Sequence, residues 1–313
     1  MTLSLDKKIS VRLWLSAALI TAMILFAELL GEKEIIFPEI AALAVGAWLS
    51  PKLPWETNRM KILLLLSLSA GIGYVLSAYV NLPLYFKILL GMILCMVLLL
   101  LSRTTMLPLI SACILPILTE ADSFIYPVSV MVLTAVIVSG QALLETTKLK
   151  EVHHYQPVVC DIRTEFVRWL LIILSVSIMA GAALWLDTRF MIAPPLIVML
   201  CELSYTDSKA RNKPWQILFL TAFAAFAGAY ARILFCGILH FPLFLPALLV
   251  SALILCFMTI LKLYFPPAAA IAILPFIINE QALFLYPVQV TTGSIVFISL
   301  AMLFGKLLKG CSK

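Results

Sequence analysis

The residues of this sequence that could do chemistry are a few charged side chains within or beside long apolar runs. Glu39 follows Pro38 inside the apolar stretch 35–49. A carboxylate surrounded by hydrocarbon is costly and is by default a candidate for binding a proton or a coupling cation. Glu34 lies only five residues earlier, so Glu39 could instead be an interfacial acid that stabilises a helix N-terminus. Both interpretations stay open, with Glu39 as the hypothetical coupling carboxylate.

Two cations precede apolar segments that open with proline. Arg103 lies five residues before Pro108, and Lys262 lies shortly before Pro266 and Pro267. Proline suits the first helical turn, and a helix N-terminus offers N–H groups and partial positive charge to an anion. These five residues are the hypothetical substrate-binding site for an anion. The alternative is that the two cations only set membrane orientation and that the prolines only interrupt helices.

The composition limits the classes of protein to which this sequence can belong. Of 313 residues, 63% are apolar and 12% are charged, whereas soluble domains carry about 25% charged residues. The mean hydropathy is +1.11. These values exclude a soluble nucleic-acid-binding domain, a secreted disulfide scaffold and an ordinary cytosolic enzyme. The sequence holds no P-loop, zinc motif or G-x-S-x-G elbow, so we expect no enzyme activity, cofactor or metal.

The elements that must position these residues are apolar helices in a bilayer. A hydrocarbon core of about 30 Å needs roughly 20 helical residues, and Lys7, Lys8 and Arg12 precede a first run that is too long for a signal peptide. We predict an all-α polytopic protein with twelve membrane segments, two of them short in each half. The segments are Val11–Gly31, Ile35–Leu49, Lys61–Val80, Leu84–Ser102, Leu107–Leu118, Phe124–Leu144, Phe166–Leu186, Phe190–Leu203, Trp215–Leu239, Leu243–Leu263, Pro267–Ile278 and Leu283–Leu308.

Basic residues indicate the orientation. If all twelve segments cross, with both termini in the cytoplasm, 18 of the 22 Lys and Arg face the cytoplasm, as the positive-inside rule requires. If Leu107–Leu118 and Pro267–Ile278 were re-entrant, the basic linker would move outside. We therefore expect a multi-pass protein of the plasma membrane with twelve full crossings.

The two halves of the chain resemble each other. Met106–Pro116 aligns with Phe265–Pro275 at an offset of 159, and Tyr126 aligns with Tyr286 at an offset of 160. An even number of segments in each copy predicts two parallel six-segment repeats, one of the repeat architectures of secondary transporters. The predicted units are a first membrane repeat (1–145), a cytoplasmic linker (146–165) and a second membrane repeat (166–313). A duplicated bundle without any transport role is the alternative.

Other residues within the apolar runs are weaker candidates for a functional role. Glu28 and Glu202 lie near segment ends and could reach water, so they rank below Glu39. Arg232 breaks the charge rule, and we expect it to face a cavity or to snorkel. Gly71, Gly73 and Gly228 are typical of close helix packing.

The stretch Phe265–Leu274, with its Pro-Pro pair followed by small residues, resembles the signature of the HPP family of small membrane proteins. Ala193–Leu200 and the polar stretch ending at Pro214 also look like that family. The family's signature His is Phe265 here, and the first copy has Met106-Leu107-Pro108. Some plastid members are assigned nitrite transport, so the resemblance implies a secondary transporter or channel for a small anion.

Two alternatives come from other classes. One is a permease of the aromatic-acid exporter type, although such proteins usually carry a large soluble domain. The other is a non-transporting membrane scaffold or subunit. The expected partners are the lipid bilayer and a small anionic solute, with no nucleic acid, and self-association into a homo-oligomer is compatible with the sequence.

The twelve-crossing topology can be tested with single cysteines at Ala121 and Val152, introduced without the native cysteines. Full crossing by Leu107–Leu118 puts these positions on opposite sides of the membrane. A membrane-impermeant thiol reagent should therefore label position 121 from outside and position 152 only after permeabilisation. Labelling of both from the same side would make the short segments re-entrant.

Overall fold

The structure is a computed structural model, and it describes residues 5–158, 162–205 and 208–311. These residues form helices and turns and contain no strand. The α-helices are α1 Leu5–Leu30, α2 Glu39–Ala44, α3 Arg59–Ala78, α4 Leu84–Ser102, α5 Pro108–Thr119, α6 Ile125–Thr146, α7 Ile162–Trp185, α8 Pro194–Ser204, α9 Pro214–Arg232, α10 Phe244–Ile260, α11 Pro266–Ile273, α12 Glu280–Leu283 and α13 Tyr286–Cys311. One π-helical stretch, Val45–Leu49, extends α2, another, Ile233–Ile238, extends α9, and a 3₁₀ turn, Leu274–Phe276, extends α11.

Seven helices of the described chain are long and apolar enough to cross a membrane. They are α1, α3, α4, α6, α7, α9 and α13. Helix α10, with 17 residues, is only slightly shorter. The all-helical class predicted from composition is confirmed, and the apolar helices are those of a membrane protein. The count of twelve crossings stays a prediction.

The long helices expose large apolar side chains. Leu101 is 78% exposed and Ile178 is 64% exposed, which would be unfavourable in water but suits contact with lipid tails. The outer surface of the bundle is therefore the surface that faces lipid.

The core is built from the four short helices α2, α5, α8 and α11. Every residue of α2 and α11 is buried, as is all of α5 except Thr119. Their apolar character on all sides is the pattern of a helix enclosed by other helices. The short helices therefore lie in the interior of the protein.

Two of the short segments connect opposite ends of the bundle. Before α2, the Glu34 carboxylate accepts from the Asp122 and Ser123 amides, which precede α6. After α2, the Gly46 carbonyl accepts from Lys150, which follows α6. The segment that contains α2 therefore extends along α6 from one end to the other.

Helix α5 has the same relation to α3. Just before α5, the Thr105 amide donates to the Glu56 carbonyl, near the start of α3. Near the end of α5, the Pro116 carbonyl accepts from Ser77, at the last turn of α3, at 3.0 Å. The chain thus passes from one end of the bundle to the other through a helix of only 12 residues.

Tyrosines hold the two helices α5 and α11 in the same way. The Tyr126 hydroxyl donates to the Ala112 carbonyl at 2.8 Å, and the Tyr286 hydroxyl donates to the Ile271 carbonyl at 2.7 Å. Each of these bonds satisfies a carbonyl of the buried core, where an unpaired polar group would be costly. The donors and the acceptors recur at offsets of 160 and 159 residues.

Glycines let the same helices approach their neighbours closely. A Cβ at Gly73 would lie 2.2 Å from the Cys113 carbonyl oxygen, and one at Gly228 would lie 2.2 Å from the Ala272 oxygen. The expected packing role is therefore confirmed for these two glycines. It is wrong for Gly71, because no atom lies within 4 Å of its added Cβ.

The contact at Gly73 predicts a stability difference between two neighbouring substitutions. Gly73→Ala forces a methyl group against the backbone of α5 and should destabilise the protein by about 1–3 kcal/mol. Gly71→Ala is the matched control and should be neutral or slightly stabilising, since alanine favours a helix by up to ~1 kcal/mol. Thermal unfolding in detergent micelles measures both, and equal unfolding temperatures would contradict the close approach.

Candidate functional site

A cavity lies where the four short helices meet. The space in it that a water-sized molecule can occupy is about 10 Å³, which is room for about one water molecule. Its lining residues are Glu39 and Ala42 of α2, Trp55, Pro108 and Ser111 of α5, Pro195, Val198 and Glu202 of α8, and Pro266, Pro267 and Ala270 of α11. Each short helix contributes residues from its first two turns, and all four helix N-termini therefore approach one cavity.

Glu39 is fixed at this cavity by the proline before it. Pro38 ends the preceding turn and leaves Glu39 as the first residue of α2. The side chain is 1% exposed. The Ser111 hydroxyl of α5 donates to its Oε1 atom, while its Oε2 atom is buried and has no partner. The structure thus places Glu39 deep in the core, and the interfacial alternative does not describe its position.

Glu202 brings a second carboxyl group to the cavity. It lies near the end of α8, and its Oε2 atom is buried without a partner. The sequence ranked Glu202 below Glu39 because it is close to the end of an apolar segment. The apolar residues around Glu202 in 196–203 were the signal that could have ranked it as high as Glu39.

Trp55 supplies a hydrogen-bond donor that the sequence analysis missed. Its ring packs on α2, so that a Cβ added to Gly46 would lie 2.4 Å from it. The residue is 2% exposed, and its indole Nε1 has no partner. The cavity therefore contains two unpartnered carboxyl oxygens and one unpartnered N–H group.

The prolines predicted at the site do line it. Pro108, Pro266 and Pro267 face the cavity, with α11 beginning at Pro266. The first N–H groups of these helices are already bonded, however. Ile110 donates to the Leu107 carbonyl at 3.0 Å, and Ala268 donates to the Phe265 carbonyl at 3.1 Å. What these helices offer a ligand is the partial positive charge of their N-termini.

The two predicted cations lie elsewhere. Arg103 and Lys262 are exposed residues that follow α4 and α10, both in the left-handed conformation (φ 52° and 50°). The Arg103 carbonyl accepts from the Tyr155 hydroxyl of the linker at 2.9 Å. Neither cation lines the cavity, and no Lys, Arg or His is among the lining residues. The structure therefore separates these cations from the prolines with which the sequence grouped them.

Arg232 does not face the cavity or snorkel, and that expectation is wrong. Its guanidinium is 5% exposed and donates to the carbonyls of Pro275 and Ile278, which follow α11. Carbonyls at the end of a buried helix have no partner within the helix. The charge of Arg232 therefore stabilises the end of an interrupted helix.

Lys150 fixes the other end of α2. Its ammonium group donates to the carbonyls of Gly46 at 3.1 Å and Ala47 at 2.5 Å. Burial, more than the nearby charge of Arg12, lowers the pKa of Lys150 to about 7, while Glu145 opposes this shift. The linker thereby anchors the helix that carries Glu39.

The described residues hold no group of three or more His, Cys, Asp and Glu side chains arranged for a metal ion. No family model matches the chain, and no curated protein or solved structure matches it. The resemblance to the HPP family stays a prediction.

Lys150 should make stability depend on pH. Its pKa is about 7 in the folded protein and about 10.4 in an unfolded chain. Between these values the unfolded state binds more protons, so the stability of the folded state increases as the pH rises from 7 to 10. Lys150→Met should flatten this increase relative to the wild type, as measured by unfolding temperature in detergent.

The control for this prediction is Lys52→Met, which removes an exposed lysine at the same end of the bundle. This control should follow the wild-type curve. If Lys150→Met and Lys52→Met give superimposable pH profiles, Lys150 is not held in a neutral form.

Proposed function

We propose that the protein is a secondary transporter that moves a small anion together with a proton carried on Glu39. The observation that carries this proposal is the central cavity, where four interrupted helices meet around an unpartnered, buried carboxyl oxygen. Interrupted helices at membrane depth are tolerated only within protein or around a cavity, and in transporters such places hold the substrate and the coupling ion.

The proposal includes twelve crossings in two parallel six-segment repeats. The short segments that connect opposite ends of the bundle support full crossing over re-entrance. The recurring tyrosine and glycine contacts at α5 and α11 support the duplication. The basic residues at one end support a plasma-membrane protein with both termini in the cytoplasm.

Protonation of Glu39 explains how an anion could enter a cavity lined by acids. An ionised carboxylate would repel the anion, whereas a protonated carboxyl group donates a hydrogen bond to it. The four helix N-termini add partial positive charge. The resemblance to the HPP family supports a nitrite-like substrate. Arg103 and Lys262, which lie outside the cavity, attract the anion to the end of the bundle in this proposal.

A cation carrier is the second candidate. The two carboxyl groups and the lack of a basic residue in the cavity lining favour it. In this case Glu39 binds the transported cation itself. Flux of sodium or potassium that is insensitive to nitrite would favour this candidate over the anion carrier.

The test uses nitrite as the probe in proteoliposomes with an inward proton gradient. The wild type should accumulate nitrite, after subtraction of uptake by protein-free vesicles. Glu39→Gln removes the titratable group and should reduce gradient-driven uptake at least ~10-fold, which corresponds to about 1.4 kcal/mol. Glu32→Gln, at an exposed acid outside the cavity, should transport normally.

Comparable nitrite uptake by Glu39→Gln and the wild type, with equal protein in the vesicles, would contradict the assignment of Glu39. The absence of any protein-dependent flux in the wild type would instead support a membrane scaffold or subunit.

A further inference from the structure

Glu202 and Trp55 have no role in the function proposed above, although they line the same cavity as Glu39. The Glu202 Oε2 atom is enclosed and unpartnered, as is the Nε1 atom of Trp55. Buried polar groups in proteins are nearly always hydrogen-bonded. Unpartnered atoms on two sides of one cavity therefore point to a species that binds there during function.

The side chains of the cavity are a poor ligand set for a divalent metal cation. Among the lining side chains, only Glu39, Glu202 and Ser111 offer oxygen atoms, and one Glu39 oxygen already accepts from Ser111. Hard cations such as Ca²⁺ and Mg²⁺ take about six or more oxygen ligands. A proton needs one carboxyl oxygen, so the proton is the cation that this lining suits.

The remaining titratable groups around the cavity are engaged elsewhere. The hydroxyls of Tyr126 and Tyr286 donate to carbonyls of α5 and α11. At the end of α8, the Arg168 guanidinium binds Glu165 and the Tyr205 hydroxyl. No lining residue from α5 or α11 is titratable. Glu39 and Glu202 therefore have no countercharge among the lining residues.

Two ionised carboxylates in one apolar cavity would repel each other and lose solvation. Binding of a proton to either carboxyl group removes a charge from the apolar cavity and lowers this cost. We propose that Glu202 is a second proton-binding group of the cavity, so that the protein carries two protons per transport cycle. This inference rests on the proposed secondary transport.

Each half of the chain supplies one of the two proton-binding groups, Glu39 from the first half and Glu202 from the second. A proton from water on one side binds the Glu39 carboxylate and a second binds the Glu202 carboxylate. Both protons leave to water on the other side. The Ser111 hydroxyl stabilises the ionised form of Glu39, and the unpartnered Trp55 N–H is a second donor in the lining. With one monovalent anion, each cycle moves one net positive charge.

The first measurement is independent of transport. Infrared difference spectra of the purified protein in nanodiscs, recorded between pH steps, should show two carboxyl groups of the cavity that titrate. Glu39→Gln and Glu202→Gln should each remove one carboxyl band and shift the titration of the other. Glu32→Gln should leave both bands in place. A Glu202→Gln spectrum identical to that of the wild type would overturn the inference.

Sodium provides a further arm of this measurement. Sodium chloride added at constant pH, with choline chloride as the ionic-strength control, should leave the carboxyl bands unchanged. Loss of the bands with sodium alone would overturn the assignment to protons. If Glu202→Gln does not fold, Glu202→Asp keeps a titratable group, and it should retain the second band at a shifted midpoint.

The second measurement is charge movement in proteoliposomes with nitrite as the probe. The wild type should move one net charge per nitrite, and Glu202→Gln should move none while nitrite still enters. Nitrite uptake without charge movement in the wild type would overturn the inference and leave the proposed function intact. Two interdependent carboxyl bands without nitrite transport would support the proton pair and contradict the proposed function.

Discussion

The structure depends on the satisfaction of backbone carbonyls in the middle of an apolar molecule. Four helices of the core are much shorter than their neighbours, and each of their ends leaves polar groups without partners in the helix. Within α5 and the turn that extends α11, Pro116 and Pro275 have no N–H to bond the carbonyl four residues earlier. Side chains from long neighbours supply the missing donors, as Tyr126 does for α5, Tyr286 for α11 and Arg232 for the turn after α11. The long helices therefore hold the short ones through hydrogen bonds as well as through packing.

This arrangement explains why the polar cavity lies at the centre. Helices that end inside a protein bring their N-termini and their connecting segments to the middle, where a continuous helix would present only apolar side chains. Glu39 is at the cavity because α2 begins there, directly after Pro38. The glycines of α3 and α9 allow these helices to contact the backbone of α5 and α11 directly.

Much of this could be predicted from the sequence, and the exceptions have physical reasons. The apolar composition and the prolines at 38, 108 and 266 predicted the membrane class and the short central helices. Trp55 was missed because it lies in the polar stretch 50–58, and only the folded chain brings it back onto Gly46. The position of Arg232 was misjudged because a hydropathy pattern indicates only whether a charged side chain prefers water to lipid. The actual partners of Arg232 are buried backbone carbonyls, which a hydropathy pattern does not reveal.

The anchoring of α2 by Lys150 also determines how the protein can move. The ammonium group holds two carbonyls that have no solvent around them, so separating the linker from α2 would leave three polar groups unpaired. The linker and α2 must therefore shift together as one mechanical unit.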